Sequence, residues 1–183
     1  MNAVVSVPSG NFGNLTAGLY AYQMGAPIGQ FIAATNVNKT VPDYLESGKY
    51  QARPSMATLS NAMDVGEPSN FERMSAHFSL EEMRRLILGT SVSDAETKET
   101  ISEVFSSWGY YLDPHSAVGW RAVDIAANAP AVVVATAHPA KFAETVEALT
   151  GLVPVPPSLL KVMERTVDAK TIPVELEILK QCL

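Results

Sequence analysis

The sequence predicts an α/β fold in which helices cover both faces of a mostly parallel sheet. Up to Thr35, the chain alternates between an apolar strand, a polar turn, a helical pattern and a second apolar strand, Gln30 to Thr35. Two strands joined through a helix run parallel, because the helix carries the chain back to the starting edge of the sheet. A third apolar run, Ala131 to Thr136, predicts a further buried strand. Together these patterns favour a three-layer αβα arrangement.

The first elements flank a turn that contains glycine. Ala3 to Val7 is short, rich in β-branched residues and free of alternation, as expected of a strand buried on both faces. From Asn14 to Met24 apolar residues recur at helical spacing, and Gly25 offers a helix end. Val41 to Gly48 predicts a short helix. Residues 49–66 predict a long polar loop, and such loops usually line a site or contact a partner.

Two capping boxes predict helix starts in the middle of the chain. In each, a serine stands three positions before a glutamate, at Ser79 and again at Ser93. The second helix should bury one face, because apolar residues recur along it at helical spacing. Those residues are Ile101, Val104, Phe105 and Trp108.

The last part of the chain predicts further helices and a change of texture. Asp113 to Asn128 suggests a loop and a helix, and Pro139 suits the first position of another helix. Beyond Gly151 a proline-rich connector precedes two short amphipathic patterns. We therefore expect an α/β domain over residues 1–151 and an extended, helical C-terminal arm over residues 152–183 that packs back on it.

The composition argues against several classes of function. The chain of 183 residues has a formal net charge of −6 and no cluster of Lys or Arg, so neither nucleic acid nor an anionic membrane is an expected partner. The lone cysteine, Cys182, fits a reducing compartment. The sequence shows no apolar run of transmembrane length and no signal-peptide pattern, which predicts a cytoplasmic location. The three histidines lack ligand spacing, so no metal site is expected.

The turn between the first strand and helix is the candidate binding site. Gly10 and Gly13 can adopt backbone angles closed to other residues, and they let a ligand approach the main chain. The helix N-terminus that follows adds free N–H groups, which suit a phosphate. An ordinary strand-to-helix turn also contains glycines, so the spacing alone leaves both interpretations open. Neither the Walker pattern nor the dinucleotide fingerprint is present.

The segment Pro8-Ser9-Gly10-Asn11-Phe12-Gly13 resembles the threonine synthase family, whose members are pyridoxal-phosphate enzymes of fold type II. Further blocks resemble the same family in the same order along the chain. They start at Ile32 (IAATN), Thr58 (TLSNAMDV), Pro68 (PSNFER), Asp113 (DPHSAVG) and Thr136 (TAHPAKF). The resemblance runs from about Val4 to Gly151 and implies part of the large, cofactor-binding domain of that fold.

The resemblance also implies a cofactor, a reaction and roles for individual residues. The cofactor is pyridoxal 5'-phosphate, and the reaction converts O-phosphohomoserine and water to threonine and phosphate. The cofactor phosphate is implied to bind at Ser9, Gly10, Asn11, Phe12 and Gly13. Thr136 is implied to hydrogen-bond the pyridine nitrogen, which would leave the ring unprotonated. The blocks that look like substrate-site lining contain Asn61, Asp64, Asn70 and His115.

Some features depart from the family pattern. Lys39 stands where the family more often has Asp, and Ser116 replaces a common Thr. The lysine that carries the cofactor in the family lies N-terminal to the phosphate loop, and no lysine of this chain matches its motif, so no catalytic residue is assigned here. The implied interpretation is a C-terminal portion that is inactive without the missing N-terminal half. Such a portion should expose a sheet edge and apolar surface, which favour self-association.

Two alternatives stay open at this stage. Another fold type II lyase, such as a serine or threonine dehydratase, would use a similar phosphate loop, although the blocks at Ser60 and Thr136 argue against it. From a different class, the chain would be a catalytically inactive phosphate-binding or interaction module. Mixing the chain with the N-terminal half and testing for activity separates these interpretations.

Overall fold

The computed structural model describes residues 3–126, 130–166, 169 and 171–182. Contacts within the chain separate a larger unit, Met1–Val153, from a smaller one, Pro154–Leu183, and each is described by itself. The roles expected for residues 1–151 and 152–183 stay predictions.

A parallel four-stranded sheet forms the centre of the larger unit. Its strands are β1 (Ala3–Pro8), β2 (Ile28–Thr35), β3 (Ile87–Ser91) and β4 (Ala131–Val133). They lie in the order β3-β2-β1-β4, and every neighbouring pair is parallel. In the central pair, Val5 lies beside Phe31 and Pro8 beside Ala34. The predicted βαβ start and the α/β class are confirmed.

Helices cover both faces of this sheet. In the larger unit the helices are α1 (Gly13–Gln23), α2 (Thr40–Ser47), α3 (Phe71–His77), α4 (Leu80–Leu86), α5 (Asp94–Trp108), α6 (Pro114–Arg121) and α7 (Ala143–Thr150). Successive residues of β2 point to opposite faces, as in any strand. Phe31 belongs to a core shared with α1 to α4, whereas Ile32 belongs to a core that includes Val118 of α6.

Both capping boxes form as predicted. At the start of α5, the main-chain N–H of Ser93 donates to Glu96 Oε2 at 2.8 Å, and Glu96 N–H donates back to Ser93 Oγ at 3.3 Å. Ser79 and Glu82 make the same exchange at the start of α4. Hydrogen bonds from Ser93 lower the pKa of Glu96, because they favour its charged form. Local sequence alone therefore fixes these two helix starts.

The stripe predicted along α5 is only half buried. Ile101 and Val104 are buried, but Trp108 is 66% exposed. The helix ends at Trp108, and Gly109 follows with a left-handed φ of 63°. Trp108 is thus the last residue of α5 and lies outside its buried face. Its ring instead packs on the ring of Trp120, with the ring centroids 5.3 Å apart.

The strand β3 was not predicted from the sequence. Its residues, ILGTS, combine two apolar side chains with glycine and two hydroxyls, which is a weak strand pattern. The structure explains Gly89, because a Cβ added there would lie 2.9 Å from Pro42 Cα of α2. The glycine lets helix and strand approach closely.

The predicted buried strand Ala131 to Thr136 is wrong in its length and in its burial. Strand β4 ends at Val133, and both Ala131 and Val132 are exposed. Its only neighbour among the described residues is β1, so it is an edge strand, and apolar composition alone does not distinguish edge from centre.

The helices at the end of the larger unit begin and end differently from the prediction. Helix α6 ends at Arg121 and continues as a 3-10 turn, Ala122–Ala126. The remainder of the predicted segment, residues 127–129, lies outside the described residues. The helix predicted at Pro139 begins as a 3-10 turn, Pro139–Phe142, before α7.

The smaller unit contains two short helices, as predicted. They are α8 (Pro157–Met163) and α9 (Leu176–Gln181), and neither contains a buried residue. Across the described part of the chain, no helix has both the length and the apolar character that crossing a membrane requires.

Candidate functional site

The loop from β1 to α1, residues 9–13, turns sharply at Phe12. Its start is tied to the sheet, because Ser9 N–H donates to Ala34 O at 2.8 Å and Ser9 Oγ donates to Val7 O at 2.8 Å. Phe12 is buried and has φ 61° and ψ 18°, the left-handed region. It occupies the N-cap of α1 without any side-chain cap. We call residues 9–13 the phosphate loop.

The N-terminus of α1 leaves main-chain donors free. The first hydrogen bond that closes a helical turn runs from Thr16 N–H to Phe12 O at 2.9 Å. Among the described residues, no hydrogen bond uses the main-chain N–H groups of residues 10–14. Helices satisfy such groups with a capping side chain, with water or with a ligand. An uncapped turn of this kind suits an anion, since the dipole of α1 also favours negative charge there.

A cavity of about 250 Å³ adjoins this loop. It is lined by residues 8–14 together with Ala62, Met63, His115 and Thr136. The structure thus brings the whole phosphate loop, His115 and Thr136 to one place. The segment that carries Thr136 is held beside β1, because Val134 N–H donates to Ser6 O at 2.9 Å.

The two glycines of the loop are used differently. A Cβ added at Gly10 would lie 2.6 Å from Met63 Cα, so Gly10 is required by packing against the 3-10 turn Asn61–Met63. A Cβ added at Gly13 would meet only Asn70 Nδ2, at 3.7 Å. Protein packing does not require Gly13, which leaves room for a ligand against the main chain. The residues present therefore fit a phosphate group.

His115 joins helix α6 to the cavity wall. Its Nδ1 lies 2.8 Å from Asp113 Oδ1, and its Nε2 accepts a hydrogen bond from Ala62 N–H at 3.2 Å. A nitrogen that accepts carries no proton, so the proton of the neutral ring belongs on Nδ1 and is donated to Asp113. The ring packs on Phe142 with centroids 4.8 Å apart. His115 thus reaches the wall with its ring oriented through both nitrogens.

Asp113 organises this corner and also starts α6. It is buried, and its carboxylate accepts from His115 N–H at 2.9 Å and from Ser116 Oγ. Burial raises the pKa of Asp113, but hydrogen bonds from His115 and Ser116 outweigh it, so the pKa lies below its usual value. Ser116 keeps the hydroxyl of the threonine that is common in the family, and this hydroxyl is what Asp113 uses.

Asp64 lies in a dense polar cluster at the end of β2. Its Oδ1 accepts from Asn36 Nδ2 at 2.8 Å and from Thr58 Oγ1 at 2.7 Å, and its Oδ2 accepts from Thr58 N–H at 3.0 Å. Asn38 Nδ2 adds a contact at 3.3 Å. Asp64 is not among the residues that line the cavity. Its carboxylate holds the long loop against the sheet.

The other two expected lining residues lie beside the cavity rather than in its wall. Asn61 is exposed and forms part of the 3-10 turn. Asn70 donates from Nδ2 to Asn11 O at 2.8 Å, so it contacts the phosphate loop directly. Lys39, the departure from the family pattern, pairs with Asp43 at 3.6 Å on α2.

Sequence reasoning did not single out the partners of these residues. Asn36 and the Ala62 N–H are distant in sequence from the groups that they bind, so no local pattern reveals them. Thr58 stands in the same block as Asp64, but nothing in the block indicates that the two side chains are bonded. Asp113 was identifiable, because an aspartate directly before Pro114 is a strong signal for a helix N-cap.

Comparisons with known proteins support one family. A family model described as "Threonine synthase, C-terminal" matches residues 116–183. The threonine synthase of Haemophilus influenzae is 46% identical over 164 residues, which are 87% of this chain and 38% of that protein. A pyridoxal-phosphate-bound threonine synthase from Brucella melitensis superposes with a TM-score of 0.90 and 37% identity, over 100% of this chain and 46% of the other. The chain thus spans less than half the length of these relatives.

More distant structures share the fold alone. A fungal L-serine ammonia-lyase from Rhizomucor miehei superposes with a TM-score of 0.55 at 15% identity, over 81% of this chain and 50% of the other. The motif order, the parallel sheet and the matches at high identity agree. The chain therefore belongs to the threonine synthase family and corresponds to the C-terminal part of its members.

Proposed function

We propose that this chain forms the part of a threonine synthase that holds the phosphate and the pyridine ring of pyridoxal 5'-phosphate. The enzyme as a whole would convert O-phosphohomoserine and water to threonine and phosphate. One observation carries this proposal: residues 10–14, whose main-chain N–H groups make no hydrogen bond among the described residues, line a cavity that Thr136 and His115 also line. The cofactor named for the Brucella melitensis structure supports it.

In this proposal the phosphate loop binds by its main chain. Residues 9–13 would surround the phosphate oxygens, and the N–H groups left free at the start of α1 would donate to them. Charge-assisted hydrogen bonds of this kind are about twice as strong as neutral ones. The side chain of Phe12 would contribute by anchoring the loop, because it is buried in the core that α1 shares with the sheet.

Thr136 would contact the other end of the cofactor. Bound pyridoxal phosphate supplies an electron sink for carbanions of the substrate. A hydroxyl at Thr136 is neutral, so it would donate to the pyridine nitrogen without protonating the ring. Thr136 is exposed and follows β4, where parallel sheets place their ligand-binding groups.

We further propose a division of labour among the remaining residues. His115 and Asn61 would face the substrate, whereas Asp64 and Asn70 would hold the surrounding loops in place. The lysine that carries the cofactor would come from the part of the longer relatives that precedes the phosphate loop. The active enzyme would then be complete only when both parts are together, and we propose the cytoplasm as its location.

Exposed aromatic side chains support a proposal of self-association. Trp108, Tyr110 and Trp120 are 66%, 55% and 38% exposed, and the edge strand β4 adds Val132 at 55%. Exposed apolar surface and open strand edges promote association between copies. Light scattering of the purified chain should report dimers or larger species, and a monomer would contradict this proposal.

Reconstitution tests the proposed enzyme. The chain would be mixed with the corresponding N-terminal part of the Haemophilus influenzae threonine synthase, and then with pyridoxal 5'-phosphate and O-phosphohomoserine. We expect a visible cofactor absorbance and phosphate release in the mixture, with neither part active alone. A mixture that contains Gly13→Ala should need at least about tenfold more pyridoxal 5'-phosphate to give either signal. Cofactor binding without phosphate release would instead favour a different lyase or an inactive module.

A further inference from the structure

Phe12 has a backbone conformation that requires support from its surroundings. It is the one non-glycine residue with a positive φ among the described residues. A bulky side chain in the left-handed region is a real outlier, and such conformations persist where neighbouring contacts over-determine them. Phe12 is also the N-cap of α1, so its conformation sets the direction of the free N–H groups that follow.

The segment Ser69-Asn70 provides that support through Asn11. Asn70 Nδ2 donates to Asn11 O at 2.8 Å. Both Ser69 N–H, at 2.6 Å, and Ser69 Oγ, at 3.0 Å, donate to Asn11 Oδ1. The carbonyl and the side chain of Asn11 are therefore held at the same time. We call Ser69 and Asn70 the clamp.

Because the peptide between Asn11 and Phe12 is planar, the hydrogen bond to Asn11 O also sets the direction of the Phe12 N–H. In a trans peptide the C=O and the following N–H point in opposite directions. Fixing Asn11 O toward Asn70 therefore directs the Phe12 N–H away from the clamp. Neither clamp residue lines the cavity, whereas Phe12 and Gly13 do. The clamp thus acts on the cavity wall indirectly, through Asn11, which does line it.

Asn70 bonds Asn11 instead of capping its own helix. It stands at the N-cap of α3, where an asparagine side chain normally accepts a hydrogen bond from the helix. Here it makes no side-chain cap, and its Oδ1 instead accepts from Arg73 Nη1 at 3.0 Å. That contact fixes the amide so that Nδ2 faces Asn11. The side chain is therefore committed to the phosphate loop rather than to its own helix.

We infer that Asn70, together with Ser69, is a positioning residue that presets the phosphate loop for its anion without touching it. This inference rests on the proposed function, which assigns the phosphate of pyridoxal 5'-phosphate to the loop. It replaces the substrate-lining role that the family resemblance implied for Asn70 with a role in the shape of the loop.

The test uses the full chain with Asn70→Leu, which removes the donor while keeping similar size and no charge. Nitrogen-15 relaxation would follow the backbone order of residues 10–14 without ligand, and we expect that order to fall. Amide hydrogen exchange would follow Thr16, whose N–H donates to Phe12 O at 2.9 Å, and we expect it to speed up about fivefold to tenfold, the equivalent of one hydrogen bond. The dissociation constant for pyridoxal 5'-phosphate should rise by a similar factor. Ser75→Ala on α3 is the control, and its thermal unfolding midpoint should match that of Asn70→Leu.

The outcomes separate the clamp from the cofactor proposal. Unchanged loop order and unchanged affinity would overturn the clamp. The clamp would also be overturned if the affinity for pyridoxal 5'-phosphate fell only in proportion to the thermal unfolding midpoint while the loop stayed ordered. If Asn70→Leu loosens the loop but the wild-type chain binds neither pyridoxal 5'-phosphate nor inorganic phosphate, the clamp stands and the proposed cofactor role fails. If Asn70→Leu does not fold, Arg73→Ala repeats the test, because it removes only the contact that orients Asn70.

Discussion

Two neighbouring polar regions of the larger unit treat their hydrogen-bonding groups in opposite ways. Around Asp64, carboxylate oxygens, amides and hydroxyls are joined within the protein. In the phosphate loop, the main-chain donors of residues 10–14 find no partner among the described residues. Both regions lie in blocks that resemble the same family, so motif membership does not separate them. A satisfied cluster builds architecture, whereas donors left free at a helix N-terminus are open to water or to an anion.

The largest expected loss of stability comes from the hydrogen-bonded cluster around Asp64. Asp64→Ala should lower the free energy of unfolding by about 3 kcal/mol, because it leaves Asn36, Thr58 and Asn38 without their shared acceptor. Urea denaturation measures this loss. Asp64→Asn keeps one acceptor and should cost less. A loss below about 1 kcal/mol for Asp64→Ala would show that the cluster does not hold the loop.

The two loop glycines provide a matched pair. Gly10→Ala should destabilise the fold by about 1 to 3 kcal/mol, because its Cβ would lie 2.6 Å from Met63 Cα. Gly13→Ala has room for its Cβ and should leave the unfolding midpoint nearly unchanged. It should nevertheless weaken pyridoxal 5'-phosphate binding at least about tenfold, since the ligand must approach that main chain. Equal affinities for wild type and Gly13→Ala would contradict the proposal that the free main-chain donors of the loop bind the phosphate.

The stability that Asp113 contributes should depend on pH. Its pKa in the folded state lies below the unfolded value of about 3.9. The stabilisation is therefore complete above that unfolded value and is lost as the pH falls through the lower, folded pKa. Unfolding followed from pH 6 to pH 2 should show this decline, with a smaller decline in Asp113→Asn. Identical pH profiles would mean that the contacts with His115 and Ser116 add no stability.

The smallest stability effect is expected at Asn61. Its side chain is exposed and makes no hydrogen bond within the described residues. Asn61→Ala should change the free energy of unfolding by less than about 0.5 kcal/mol. In the reconstituted enzyme it should reduce phosphate release if Asn61 faces the substrate. A large loss of stability would place Asn61 with the architectural group instead.

Local patterns predicted the local features well. The capping boxes at Ser79 and Ser93 depend on residues three positions apart, and both form. The βαβ start follows from a short stretch of sequence for the same reason. Strand β3 was missed because its Gly89 is required by close packing against Pro42 of α2, which no local pattern reveals.

Long-range features escaped the sequence. Nothing in the AVVVAT run distinguishes an edge strand from a central one, since that depends on which neighbours the fold supplies. The phosphate loop is predicted by its motif, whereas the sequence offers Asn70 only as substrate-site lining and does not single out Ser69. Ser69 and Asn70 lie far along the chain from Asn11, so only the folded structure brings them together.

The spacing of the strand partners also has a consequence for the order of folding. Strand β1 pairs with β2 after a single helix, whereas its other partner, β4, arrives only at Ala131. Closing a short loop costs less entropy than closing a long one, so near pairings form earlier. The βαβ unit and the turn at residues 9–13 should therefore assemble first, and the segment with Thr136 should dock later. Half of the site would thus exist on the folding pathway before the other half arrives.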